Sequence, residues 1–286
     1  MRDWGKEKTA SDPKTEAKEL EALARDWDWH VRRAVAINPG APIEILRHLA
    51  NDQVQWVREA VAASLRADGD ILEFLSEDGD GFVRAAVALN QKTSPGALTK
   101  LSSDVTMDFD YSLSKNRYIV QEAAAKNPNT PEEVNRTLAD HGDEGVRAAA
   151  VSNPKVPKDV LFDRRVDPSW SVRTAAARSS QATVELLDYL AADRIQDVRA
   201  AVAMNKKTSA SSLASLAADR DGEIRAAVAS NPNADQKTLV ALSGDWAWKV
   251  REAVAKNPST PEEVVRALVE DGDQSVKKAA TARLDR

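Results

Sequence analysis

The chain has 286 residues, with 45 acidic and 40 basic side chains and a formal net charge of -5. This mildly acidic balance gives no general attraction to nucleic acid or to anionic membranes, although a local basic stripe can still exist. Cysteine is absent, which excludes disulfides, thiolate metal sites and cysteine nucleophiles, and no apolar run approaches the roughly 20 residues that cross a bilayer.

The first 18 residues are polar and charged, and they include a single tryptophan, Trp4. They predict a flexible lead-in segment over 1–18, without the apolar core of a signal peptide. Together with the missing cysteines, this start favours a cytoplasmic location. Residues 19–286 are predicted to form a single repeat domain with an insertion at about 105–119.

A 26-residue repeat fills most of the chain. Each repeat contains a segment close to V-R-x-A-V-A, and we call its opening valine or isoleucine the anchor. A fixed period in this range predicts a stack of small supersecondary units instead of one globular core. Successive anchors are 26 residues apart, except across the insertion, where the step is 37. The anchors are Val31, Val57, Val83, Val120, Val146, Val172, Val198, Ile224, Val250 and Val276.

The repeat over 250–271 shows the predicted elements. Its V-R-E-A-V-A-K segment spaces apolar residues three and four apart, which predicts an amphipathic helix. Asn257 and Pro258 end that helix, because proline disfavours helical geometry at the residue before it. Thr260 and Pro261 then predict the cap and the first position of a short second helix. Alanine three positions after every anchor predicts a close contact between neighbouring repeats.

The pattern D-x-x-x-x-V-R-x-A-V-A-x-N-P-x-T-P-x-x-x-L-x-x-L recurs over about residues 20–282 and closely resembles the leucine-rich repeat variant family, a relative of HEAT repeats. The resemblance implies an all-α fold, a right-handed α-solenoid of about ten 26-residue helix–turn–short-helix (α/3-10) repeats. It also implies that the V-R helices line the concave side and that the chain binds another macromolecule. The iron–sulfur segments that can accompany such repeats need cysteines, so we expect no cofactor.

Arginine follows eight of the ten anchors, and Gln121 and Lys277 take the other two places. One hypothesis is a basic stripe that binds a phosphate backbone or an acidic peptide. The alternative is structural: aspartates six residues earlier cap helices and pair with arginines of the same or the next repeat. We favour the structural alternative, because the acidic partner recurs with the arginine. This Asp/Arg ladder comprises Arg32, Arg58, Arg84, Arg147, Arg173, Arg199, Arg225 and Arg251 with Asp26, Asp52, Asp78, Asp167, Asp193, Asp219, Asp245 and Asp271.

Aromatic residues predict a binding surface on the first helices. The position two before the anchor falls about 160° from the core-facing side, because each residue turns a helix by about 100°. Spaced aromatics on a concave face are typical of a groove for a peptide or helix; the alternative is that adjacent turns partly bury these rings. By contrast, Trp27 and Trp246, four before the anchor, are predicted to pack in the core. The predicted surface consists of Trp29, Tyr118, Trp170 and Trp248, with nearby Leu89 and Met204.

The insertion adds further aromatic residues, including Phe109 and Tyr111. Long insertions in solenoids often form binding loops on one face. The alternative is a degenerate extra turn that fills a gap between repeats. We favour a binding loop and add Phe109 and Tyr111 to the predicted surface.

Enzyme chemistry is not predicted. The three histidines stand at different repeat positions and make no metal-binding pattern, and helix capping explains paired carboxylates such as Asp26 and Asp28. The segment Trp27-Asp28-Trp29 invites comparison with HEAT-like DNA-repair glycosylases, but the net charge and the motifs disagree. We therefore predict a non-catalytic scaffold that binds a partner protein or peptide on its concave face, and the alternative is a nucleic-acid-binding solenoid that uses the arginines.

Overall fold

A computed structural model describes residues 2–110 and 115–285, without the side chains of Asp110 and Lys115. The chain divides into two compact units, Met1–Lys155 and Val156–Arg286, and each is described by itself. The single domain predicted over 19–286 stays a prediction. Within the described ranges, no helix combines the length and the apolar character that crossing a membrane requires.

The N-terminal unit is built from helix pairs, each with a first helix followed by a short second helix. Between the fourth and fifth pairs, β1 (Asp108–Asp110) and β2 (Lys115–Arg117) pair antiparallel, with Asp108 opposite Arg117. The helices are α1 (Trp4–Ser11), α2 (Ala17–Leu23), α3 (Trp29–Ile37), α4 (Ile43–Leu49), α5 (Gln55–Ala63), α6 (Gly69–Leu75), α7 (Gly81–Leu89), α8 (Pro95–Leu101), α9 (Ile119–Lys126), α10 (Glu132–Ala139) and α11 (Glu144–Val151).

The C-terminal unit continues the same alternation. The predicted all-α repeat solenoid is confirmed by these elements. In the described part of the chain, a short 3₁₀ turn (Arg164–Val166) is the one departure from α-helical second segments. The helices are α12 (Lys158–Asp163), α13 (Trp170–Arg178), α14 (Val184–Leu190), α15 (Gln196–Met204), α16 (Ala210–Leu216), α17 (Gly222–Ser230), α18 (Gln236–Leu242), α19 (Trp248–Lys256), α20 (Glu262–Leu268) and α21 (Gln274–Leu284).

The anchors form the centre of the packing, and all ten are fully buried. The alanine three positions later is buried in six repeats but only half-buried at Ala175, Ala227, Ala253 and Ala279. The position five after the anchor is fully buried in all nine repeats from Ala36 to Ala255. The close contact between repeats therefore centres two residues beyond the predicted alanine, where a small side chain lets the next first helix approach.

In the described residues, a row of asparagines joins seven repeats, each to the one before it. Asn257 Nδ2 donates to the Ala229 carbonyl at 2.7 Å and to the Asn231 carbonyl at 3.0 Å. Its Oδ1 accepts from the Ser259 backbone N–H at 2.9 Å. We predicted this asparagine only as a helix stop, and the structure adds an inter-repeat hydrogen bond. The same arrangement occurs at Asn38, Asn90, Asn127, Asn153, Asn205 and Asn231.

The predicted threonine cap is wrong. Helix α20 begins at Glu262, its N-cap is Pro261, and no side chain caps it. The buried Thr260 hydroxyl instead donates to the Val254 carbonyl at 2.6 Å, which also accepts from the Asn257 backbone N–H at 3.2 Å. The same backward hydrogen bond is made by Thr93, Thr130 and Thr208.

Part of the segment over 1–18 that we predicted to be flexible is helical. Residues 4–11 form α1, which contacts α3, and Ala10 is fully buried. Lys6 takes the place of the ladder arginine and pairs with Asp26 at 2.7 Å. A polar composition concealed this degenerate repeat, because its packing uses one buried alanine and backbone carbonyls that Asn38 binds.

Candidate functional site

Seven of the described ladder arginines each join two repeats. Arg225 donates from Nε and Nη2 to the two carboxylate oxygens of Asp245, at 2.6 and 2.9 Å. Its Nη1 donates to the Asp219 carbonyl, six residues before it, at 2.8 Å. The ion-pair partner is thus the aspartate of the following repeat, while the aspartate of its own repeat supplies a backbone carbonyl. The equivalent ion pairs are Arg32–Asp52, Arg58–Asp78, Arg84–Asp104, Arg173–Asp193, Arg199–Asp219 and Arg251–Asp271.

The aspartates gain a second role in the turn before each first helix. Asp245 Oδ1 accepts from the Ala247 backbone N–H at 2.8 Å. The bond from Arg225 holds the pKa of Asp245 below its usual range, although burial opposes this. At Asp52, burial raises the pKa most strongly, but the bonds from Arg32 and from the backbone outweigh it and the pKa is lowered. Hydrogen bonds and ion pairs between repeats therefore occupy the guanidinium groups of these arginines.

The ladder is interrupted at Gln121, and its partner position changes with it. The residue 20 positions later is His141, whose Nδ1 accepts from the Asp143 N–H at 3.0 Å, as an aspartate oxygen does elsewhere. Gln121 Nε2 donates instead to the Ser102 carbonyl at 2.9 Å. Of the remaining ladder residues, Arg147 donates to the His141 carbonyl and Asp167 accepts from the Ser169 N–H, both at 2.9 Å.

The four aromatic residues of the predicted surface differ in exposure. Trp170 and Trp248 begin α13 and α19 and are 49% and 41% exposed. Trp29 begins α3 but is half-buried, stacked on His30 at 3.7 Å between ring centroids. Tyr118 is the half-buried N-cap residue of α9. Its ring and the His141 ring form a T-shaped pair, with 5.2 Å between the ring centroids.

The prediction that Trp27 and Trp246 pack in the core is wrong. They are 68% and 80% exposed. Their helices begin only at Trp29 and Trp248, so both residues lie in the preceding turn. The angular rule for helical side chains does not apply there.

One groove in the C-terminal unit unites two predicted surface residues. We call it the α15–α17–α19 groove; it has a volume of about 520 Å³, and Met204 and Trp248 line it together with Ala226. Two of the charges on its walls are paired, since Lys249 Nζ lies 2.6 Å from Glu223 Oε1. Met204 is 64% exposed.

A groove in the N-terminal unit occupies the equivalent helices. This α5–α7–α9 groove has a volume of about 590 Å³ and contains the predicted residue Leu89. Phe82, Ala85 and Ile119 extend its apolar lining. Phe82 is 39% exposed and Leu89 is 57% exposed, so the groove presents apolar side chains to solvent. Its walls also carry Glu59 from α5.

The insertion contributes Phe109, which lies on β1 and is 44% exposed. Tyr111 lies outside the described residues. The neighbouring Asp108 is held against α7: a side chain added to Gly81 would overlap its carboxylate. Burial raises the pKa of Asp108, with Arg84 acting in the opposite direction, and its Oδ2 is buried without a hydrogen bond.

The sequence-based prediction assigned no surface role to the residues directly before the anchor. Trp56 and Phe82 both hold this position, and both are exposed on successive first helices. An aromatic residue in the same place in consecutive repeats was the available signal. Glu59 was missed because a single carboxylate carries no pattern of its own.

Comparisons with known proteins identify the repeat. Residues 225–284 match the family model described as the Leucine Rich Repeat Variant domain. A solved leucine-rich repeat variant with a repetitive structural motif is similar at a TM-score of 0.56, with 22% identity over 82% of this chain and 88% of that chain. The family match and this fold likeness confirm the predicted resemblance.

Two further solved structures are similar at lower scores. An engineered protein has a TM-score of 0.38, with 16% identity over 98% of both chains. Human deoxyhypusine hydroxylase has a TM-score of 0.30, with 14% identity over 98% of this chain and 93% of that chain. Scores this low establish nothing about the chemistry of this chain. Among curated proteins, none matches it.

Proposed function

We propose that this chain, whose residues 225–284 match the Leucine Rich Repeat Variant domain, is a non-catalytic scaffold. It binds a partner protein or peptide on the face of its first helices, which we predict to be the concave face. The observation that carries this proposal is the pair of apolar grooves on equivalent helices, one containing Leu89 and the other Met204 and Trp248. Exposed apolar side chains in a shaped groove are characteristic of peptide docking.

The ladder supports a scaffold better than the nucleic-acid alternative. A phosphate backbone needs cationic groups that are free to exchange their counterions. Arg173 and Arg225 are instead buried and bound to Asp193 and Asp245. A basic stripe would therefore require breaking the contacts that join the repeats.

The proposal assigns structural roles to the carboxylates that the sequence offers for acid/base chemistry. Asp26 binds Lys6, and Asp28 accepts hydrogen bonds from the Asp3 and His30 backbone N–H groups at 2.8 and 3.0 Å. These bonds, led by the one from Asp3, hold the pKa of Asp28 at about 2. A cytoplasmic location is part of the same proposal and rests on the cysteine-free composition.

An affinity pulldown from nuclease-treated lysate tests the scaffold. The test variants are Leu89→Ser in the N-terminal unit and Met204→Ser/Trp248→Ser in the C-terminal unit. Phe74→Ser on α6 and Val240→Ser on α18 are matched controls, because these side chains are 55% and 47% exposed on second helices. Specific proteins lost only with the groove variants support the proposal. Recovery that depends on nucleic acid and ignores the groove variants contradicts it.

A further inference from the structure

The charged side chains of the α5–α7–α9 groove differ in burial and in ion pairing. Glu122 is buried and pairs with Arg117. Lys126 is exposed at the end of α9, where water solvates its ammonium group. Glu59 differs from both: it is half-buried, and its carboxylate has no hydrogen bond or ion pair to another residue in 2–110 or 115–285.

Burial raises the pKa of Glu59; Arg33 opposes this from beyond ion-pair distance, and Asp80 adds to it. A half-buried carboxylate without a partner loses hydration that nothing in the groove replaces. A cation delivered by a ligand would restore the lost interaction, whereas an anion would add repulsion. The position of Glu59 therefore favours a positively charged ligand group over a negatively charged one.

Apolar side chains line the groove that contains Glu59. Ala63 and Leu65 from its own repeat, and Phe82, Ala85 and Leu89 from α7, line the same groove. Leu65 is 80% exposed and Leu89 is 57% exposed. An occupant that covers these side chains must be apolar itself, and it must place its positive charge beside them.

We propose that the α5–α7–α9 groove binds a segment of a partner protein in which apolar side chains flank a lysine or arginine that pairs with Glu59. This inference deepens the proposed scaffold function and rests on it. The equivalent α15–α17–α19 groove has its acidic side chains already paired, Glu223 with Lys249 and Glu252 with Lys256, each at 2.6 Å. The selectivity for a basic segment belongs to the N-terminal unit.

A displayed library of random 16-residue peptides tests this inference on the full chain. The expected result is enrichment of peptides that combine apolar residues with lysine or arginine. Synthetic copies of these peptides should bind about tenfold more weakly to Glu59→Gln, and equally or more tightly to Lys126→Gln. Leu89→Ser should weaken every peptide bound in this groove, whatever its charge. The purified variants must retain the wild-type unfolding midpoint.

The outcomes separate this inference from the function on which it rests. Enriched peptides without a cation, weakened by Leu89→Ser but not by Glu59→Gln, would overturn the basic-segment inference and keep the scaffold. Basic peptides that bind Glu59→Gln as tightly as wild type would overturn it as well. A library from which nothing is enriched would count against both proposals.

Discussion

Single asparagine side chains connect the repeats, and two repeats carry serine in their place. Asn231 Nδ2 donates to the Ala203 and Asn205 carbonyls at 2.8 and 2.9 Å, and Asn231 is 3% exposed. Losing a buried donor leaves its acceptors unsatisfied at a cost of about 1–3 kcal/mol. Where asparagine holds this position, one side chain therefore makes the hydrogen bonds that bind a repeat to its predecessor.

We expect Asn231→Ala to lower the free energy of unfolding by about 2 kcal/mol or more, because two buried carbonyls lose their donor. Ser64→Asn should raise stability by about 1 kcal/mol, since an asparagine there reaches the equivalent carbonyls of the preceding repeat. Urea unfolding followed by circular dichroism measures both changes. Lys237→Gln, at an exposed position of α18, is the neutral control. Equal midpoints for Asn231→Ala and this control would show that the asparagine row does not stabilise the stack.

The ladder aspartates predict a loss of stability in acid. In Asp245 and Asp271 the bond from arginine lowers the pKa, against the effect of burial. The unfolded chain, where the pKa is about 3.9, therefore takes up protons first as the pH falls. The ion pairs contribute fully above about pH 4 and lose their contribution as the pH drops through the folded pKa.

Asp245→Asn tests this pH dependence. The variant should lose about 3 kcal/mol at pH 7, because Arg225 keeps a buried charge without its partner. Its urea midpoint should also vary less between about pH 2.5 and pH 5 than that of the wild type. Asp197→Asn, at an exposed position, should follow the wild-type curve. If the urea midpoint of Asp245→Asn falls in acid as steeply as that of the wild type, Asp245 is not a source of the acid sensitivity.

At the level of secondary-structure elements, the β1–β2 hairpin is seated on the start of α7. Gly81 allows this contact, because a methyl group in its place would overlap the Asp108 carboxylate. Gly222 holds the equivalent position in α17, and a side chain added there would meet Ala247 Cβ at 3.7 Å and Arg225 Nη2 at 3.8 Å, both ordinary van der Waals contacts. The two glycines therefore form a matched pair with different neighbours.

Gly81→Ala should destabilise the chain by about 1–3 kcal/mol through overpacking. Gly222→Ala should be neutral or stabilising by about 0.5 kcal/mol, since alanine restricts the unfolded chain more than glycine does. Combining Gly81→Ala with Asp108→Ala should recover most of the loss. Thermal unfolding of these three variants, of Asp108→Ala alone and of the wild type measures the coupling. If Gly81→Ala matches Gly222→Ala, the hairpin does not press on α7.

At the scale of the whole molecule, an arginine in α21 continues the asparagine row. Arg283, 26 residues after Asn257, donates to the Asn257 and Pro258 carbonyls at 2.6 and 2.7 Å. It occupies the place of the next asparagine and binds the two carbonyls with a charged side chain.

We expect Arg283→Ala to lower the free energy of unfolding by about 1–2 kcal/mol, because it frees two carbonyls at the end of the array. Arg266→Ala, which removes only the surface pair with Glu262 on α20, should cost less than about 0.5 kcal/mol. Urea unfolding at several protein concentrations separates lost stability from self-association. Identical curves for the two variants would show that the hydrogen bonds of Arg283 do not stabilise the chain more than a surface ion pair does.

The sequence by itself determined the repeat length, the buried anchors and the alternation of first and second helices. These follow from local rules: apolar spacing defines the buried face of a helix, and proline with asparagine ends it. The same rules failed for Trp27, which lies in a turn, and for Thr260, whose hydroxyl binds the helix behind it.

The tertiary structure alone decided which groups meet between repeats. The sequence offered Arg225 two aspartates, and the structure assigns the side chain of Asp245 and the backbone carbonyl of Asp219. It likewise placed Met204 and Trp248 in one groove and left Glu59 unpaired in another. Such contacts depend on how closely successive helices approach, and that distance is set by packing between repeats, which a pattern within one repeat does not encode.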